Sequence, residues 1–267
     1  AKLLGLARKK NSGWVILGAN EMALRLARAL SESDAEVLCI ESDPRKVAEA
    51  EKQNIRVLFG NALEPRTLKR AELDTRLGVI AMLESESSNF LFMERCLKEA
   101  KIKHALVVLH SLNDNVTEKM VIEGGGEVAF GSAQNLTNWN NRHRQSQVQH
   151  QQWRISVDVL TNFKTGDDLL DEISKTGNAL PLVYRRKKLV GPLSHTTTLN
   201  AKDRLDILVT SAKTLEEVER LKKLGLTRLP DPYAPAASLT SFPSVALSWL
   251  RGSKSRESCL ASGSLSA

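Results

Sequence analysis

The stretch VILGANEMALRLARAL, Val15–Leu30, joins an apolar run to a segment in which Met22, Leu26 and Leu30 recur every fourth residue. Ala23 and Ala27 lie beside those three, and Arg25 and Arg28 are turned away. The first part therefore reads as a buried strand and the second as an amphipathic helix, with Gly18 at the turn between them. The spacing of Gly18, Asn20 and Ala23 is that of G-x-G-x-x-G/A, with asparagine in the place of the second glycine. A turn of this kind aims the N–H groups and the positive dipole end of the helix at a phosphate. The second glycine serves to let the backbone approach a pyrophosphate, and Asn20 puts a side chain in that place.

Outward from this unit, short apolar runs alternate with helical segments. Strands are expected at Trp14–Leu17, Val37–Ile40, Val57–Phe59, Val79–Leu83, Leu106–Leu109 and Val128–Phe130, nearly all apolar, as strands covered on both faces must be. Asp43 and Pro44 open a second helix as cap and first position, and Pro65 opens a third. Ser85–Ala100 gives a fourth, and Asp114–Glu123 a fifth that stops at three glycines. Repeated strand, helix, strand with right-handed crossovers predicts a doubly wound parallel sheet. In such a sheet a ligand sits beyond the carboxyl ends of the strands. That makes Gly18, Ala19, Asn20, Glu21 and Met22 the candidate phosphate turn, and Glu41 with Ser42 the candidate ribose contact about 20 residues on. Leu83 and Glu84 end the fourth strand in the same crevice, with Glu86 just beyond.

The length of 267 residues allows one good core and a second module. No apolar run reaches the roughly 18 to 20 residues of a membrane helix, and no leader pattern opens the chain, so it is expected to be soluble and intracellular. Residue 1 is Ala, and the chain reads as a segment of something longer. Cys39, Cys96 and Cys259 are far apart and without zinc spacing; the first two are expected to pack in or near the core and the third to be exposed.

The net charge of +7 sits in ends and linkers. Residues 1–12 hold Lys2, Arg8, Lys9 and Lys10 for +4, residues 139–154 hold +3, residues 226–267 hold +2, and the remainder of the chain sums to −2. Nucleic-acid binding, which concentrates basic residues on one folded face, is not expected. The basic arm instead suits the neighbourhood of a membrane surface.

In the second half, Trp153–Val159 reads as a strand, Thr165–Ser174 as a helix, Leu180–Tyr184 with Lys188–Val190 as a hairpin, and Arg204–Val209 as a last strand. Together they form a small α+β lobe. Asn138–Gln152 has no apolar period and reads as a linker or a poorly packed helix; Thr214–Leu224 has a helical pattern. From residue 226 onward the chain is Pro- and Ser-rich and is expected to be disordered. The five histidines lack partners at metal-ligand spacing, and no nucleophile motif is present. Asp167, Asp168, Asp171 and Glu172 read as the acidic first turn and solvent face of a helix, so no metal site is expected.

These residues resemble the RCK or TrkA-type regulatory domains of potassium channels and cation transporters. The resemblance rests on VILGANEMALRLARAL, on CIESDP, on VLFGNALEPRTLKRAEL, on GVIAMLESESSNFLF and on GGGEVAFG, and covers about residues 13–131. The pattern LVGPLSHTTTLNAKDRLDILVT is similar to the end of the family's C-terminal lobe, and the whole looks most like the cytoplasmic tails of bacterial NhaP-like cation/proton antiporters. Where the family has G-D-A after the third strand, this chain has Gly60, Asn61 and Ala62, and Glu41 stands for the family's Asp. The resemblance implies a Rossmann-like domain at 13–131, a crossover at 132–153 and a TrkA-C-like lobe at 154–225, with a basic arm at 1–12 and a tail at 226–267. It further implies an adenine nucleotide (NAD or NADH, ATP, ADP or AMP), held also by Asn61 and Ala62. A homodimer is implied too, as is a cytoplasmic position beside a membrane transport domain, in the same chain or a separate subunit. Two alternatives stay open: an NAD-dependent oxidoreductase, and a Rossmann-like interaction platform with an empty pocket.

Overall fold

Six short strands assemble into one sheet: β1 (Trp14–Leu17), β2 (Val37–Glu41), β3 (Val57–Phe59), β4 (Gly78–Ala81), β5 (His104–Val107) and β6 (Glu127–Val128). Their order is β3-β2-β1-β4-β5-β6, and every neighbouring pair is parallel. The sheet reverses direction of growth between β1 and β4, the switch point of a Rossmann-like doubly wound fold. Every residue of β1, β2 and β4 is buried, because helices cover both faces. This computed structural model describes residues 13–32, 35–100, 102–110, 115–131, 134–163 and 165–230. The basic arm, Asp114, Cys259 and the chain beyond Pro230 lie outside the described residues.

The crossovers are α1 (Glu21–Ser31), α2 (Pro44–Lys52), α3 (Pro65–Arg70), α4 (Glu86–Ala100) and α5 (Glu118–Glu123). Asp43 caps α2 by accepting the Arg45 N–H at 2.9 Å, with Pro44 in the first position. The fifth helix starts later than its periodicity suggests, because Thr117 supplies the cap. The sixth strand stops at Val128 and not at Phe130. Ala129 still donates its N–H to Val107 O at 2.9 Å but bridges Ser194, and the Phe130 N–H donates to Leu193 O at 2.8 Å.

A second sheet follows, wholly antiparallel in the order β11-β7-β10-β8-β9. Its strands are β7 (Val148–Arg154), β8 (Ala179–Arg186), β9 (Leu189–Pro192), β10 (Arg204–Thr210) and β11 (Thr227–Arg228); the helices are α6 (Leu136–Arg144), α7 (Val157–Asn162), α8 (Gly166–Ser174) and α9 (Thr214–Lys223). The stretch Asn138–Gln152 thus carries most of α6 and β7. A strand over Trp153–Val159 is corrected: Ser156 caps α7, and Val157, which an alternating strand would bury, is 64% exposed. Thr227 and Arg228 pair with β7, so the described chain stays in the fold through residues first read as tail.

The apolar side chains form three clusters. One fills the face of the parallel sheet opposite α1, one underlies α7, α8 and α9, and the third is shared. In that third cluster Met22, Leu26 and Leu30 of α1 pack together with Leu180, Leu182 and Val190 of the antiparallel sheet and with Trp139 of α6. The described residues accordingly form one compact unit.

Candidate functional site

Gly18 follows β1 with φ +102°, where a side chain is strained. A Cβ there would stand 3.2 Å from Leu83 Cδ2 and 3.4 Å from Met82 O, so the turn fits tightly against the end of β4. At the end of β2, Glu41 is only 5% exposed. Its Oε2 accepts the Ala19 N–H at 2.9 Å, and its Oε1 accepts the N–H groups of Ser42 and Asp43 at 2.8 and 2.9 Å. The carboxylate is turned inward, tying the β1–α1 turn to the β2–α2 turn.

Asn20 is the N-cap of α1, with φ −75° and ψ 171°. Its Oδ1 accepts the Ala23 N–H at 3.0 Å and its Nδ2 donates to Met82 O at 2.6 Å. The residue in the second glycine's place therefore spans the switch point from α1 to β4. The Met22 N–H donates to Asn140 Oδ1 at 3.0 Å. Asn140 comes from α6, is 2% exposed, and its Nδ2 is buried with no hydrogen-bond partner among the described residues. Beside it, Glu21 faces Arg144 Nε at 3.5 Å and His143 Nδ1 at 3.9 Å. Burial and the neighbouring Arg25 hold the His143 imidazole below its usual range, against the pull of Glu21. So α6 lies across the N-terminus of α1, and two asparagine side chains take N–H groups that a phosphate would use.

The remaining expected residues divide. Leu83 reaches the turn, its backbone held by Asn89 on both sides (2.9 Å each) and its carbonyl accepting from His110 Nε2 at 2.9 Å. Ala62 is buried in the core under α3 and α4. Asn61 is exposed and turns its Oδ1 to the Leu63 N–H of its own loop at 2.9 Å. Ser42 and Glu84 are exposed, whereas Glu86 is buried and accepts the His110 N–H. Sequence reasoning missed Met82, Asn89 and Asn140. The first contributes only a backbone carbonyl, and the others are polar residues buried by tertiary contacts that no local period reports.

Elsewhere, Asp168 and Thr165 form a capping box at the start of α8. Burial, with Asp171 nearby, pushes Asp167 up to about 6. Among the described residues no group of three or more His, Cys, Asp or Glu side chains could hold a metal ion. Burial pushes the Cys39 and Cys96 thiols up to about 12, which leaves them unreactive. Among the described residues no helix is long and apolar enough to cross a membrane.

Residues 14–120 match the TrkA-N domain model. No curated protein matches the chain significantly. Among solved structures the chain is similar to the TrkA-N domain of the inner membrane protein YbaL from Escherichia coli, 14% identical over 51% of this chain and 96% of that one, with a TM-score of 0.42. It is also similar to GsuK bound to ADP, 16% identical over 45% of this chain and 31% of that one, TM-score 0.39. The GsuK channel bound to NAD is 13% identical over 85% of this chain and 41% of its own, TM-score 0.40. The chain thus spans less than half the length of either GsuK chain.

Proposed function

We propose that this chain is a nucleotide-sensing regulatory module of a monovalent cation (K+ or Na+) transporter, antiporter or channel, and not an enzyme. The observation that carries the reading is the TrkA-N match over residues 14–120, which falls on the switch-point sheet where the Ala19 N–H meets Glu41. Residues 13–131 would sense an adenine nucleotide such as NAD, ATP, ADP or AMP, using the turn Gly18–Met22 and the edge formed by Glu41 and Leu83. Residues 132–153 would pass its effect to the small TrkA-C-like lobe at 154–225, in a homodimer beside a membrane transport domain on the cytoplasmic face. A bound nucleotide acts on such a partner only through its different affinities for two states of the module.

A second reading, an interaction platform without a ligand in the crevice, draws support from one observation: Asn20 and Asn140 already occupy the N–H groups of Ala23 and Met22. Thermal melts with ATP, ADP, AMP, NAD and NADH separate the two. A nucleotide bound only by the folded chain adds about 2.7 kcal/mol at a hundredfold excess over its dissociation constant, an evident rise in Tm. A melting temperature unmoved by all five at millimolar concentration would sink the sensing reading and leave the platform.

A further inference from the structure

At the opposite end of the parallel sheet from Gly18, the starts of β1, β5 and β6 face the β8–β9 hairpin across a cleft of about 430 Å³, within the size range of small-molecule sites. Its aromatic walls are Trp14 and Tyr184, and two glycines make room for them. A Cβ on Gly78 would stand 2.4 Å from the Trp14 ring, and one on Gly191 2.6 Å from the Tyr184 ring. The polar wall is built at the seam of the two sheets. Glu127, at the start of β6, accepts from His104 Nδ1 at 2.8 Å, from Ser194 Oγ at 2.6 Å and from Thr196 Oγ1 at 2.5 Å.

Charge in the cleft is matched one to one. His104 pairs with Glu127, and Arg186 lies over the Tyr184 ring while pairing with Asp203 at 2.7 Å. A charged ligand would bring in a charge with no counterpart and lose its hydration for nothing in return. Two polar atoms of the lining, His104 Nε2 and Tyr184 Oη, have no hydrogen-bond partner among the described residues. The hydrogen bond to Glu127 raises the His104 pKa and favours the charged ring, in which Nε2 donates as Nδ1 does, and the tyrosine hydroxyl can donate or accept.

We propose that this cleft binds a small, flat, uncharged ring whose edge carries a carbonyl-like acceptor, held between the Trp14 and Tyr184 walls. The inference is independent of the nucleotide reading, since it uses none of the residues around Gly18.

The test is saturation-transfer NMR on the whole chain at pH 6 with three probes of one shape: neutral benzamide, anionic benzoate and cationic benzamidine. Benzamide is expected to bind at least fivefold more tightly than either charged probe. Two variants, Tyr184→Phe and Leu189→Trp, are each expected to weaken it at least fivefold. The first removes only the hydroxyl. The second places a large ring over the cleft from a half-exposed position, with an unchanged melting curve as the check on folding; should it misfold, Tyr184→Phe decides alone. Equal binding of all three probes, benzamide binding indifferent to Tyr184→Phe, or no binding of any probe would overturn the proposal.

Discussion

Asn20 shows how one residue can depart from a motif and still serve the fold. Its amide caps α1 and grips Met82 O in the same stroke, so Asn20→Ala is expected to lower stability by about 1 to 2 kcal/mol, read as the urea midpoint at unchanged slope. A change within 0.3 kcal/mol would mean that the cap is idle. At the other end of the sheet, burial alone would raise the Glu127 carboxyl, but bonds from His104, Ser194 and Thr196 outweigh it and hold the group down at about 2. With the folded value below the usual 4.5, the stabilisation is complete above pH 4.5 and is lost as pH falls from there towards 2. Glu127→Gln should therefore flatten the decline of the denaturation midpoint between pH 5 and pH 3. A wild-type decline that survives this substitution intact would assign it to other carboxylates.

Among the elements, the parallel strands were the most legible, since burial on both faces leaves continuous apolar runs, and β1 and β3 fall where the sequence puts them. The turn at Gly18 and the carboxylate at the end of β2 were legible for the same reason, both being fixed by position along strands. What stayed open was α6, since Asn138–Gln152 reads as a linker or a poorly packed helix, and what stayed hidden was β7. In α6 the buried face is Leu136, Trp139 and Asn140, too few apolar positions to show a helical period. In β7 the buried residues Gln151 and Gln152 disguise a strand as a polar connector. The site inherited that ambiguity, because Asn140 reaches α1 from this helix. If α6 is part of the core, Trp139→Ala, at a residue 2% exposed, should cost about 3 to 5 kcal/mol in urea unfolding. A cost below about 0.5 kcal/mol would be that of a surface connector.

For the molecule as a whole, the shared cluster around α1 decides how it comes apart. Two halves with separate cores would melt separately, whereas here both sheets bury side chains against one helix. Differential scanning calorimetry is expected to give one transition whose calorimetric and van't Hoff enthalpies agree; two resolved peaks would refute a common core. The same helix has a further consequence. Its first turn meets Asn140, while Glu32, just past its last turn, pairs with Arg185 of β8 at 2.8 Å, and Arg185 in turn pairs with Asp206 of β10. An α-helix of 11 residues is a stiff strut roughly 16 Å long, so a push at the Gly18 end is delivered to the middle of the second sheet through a single rod, with no hinge along the way.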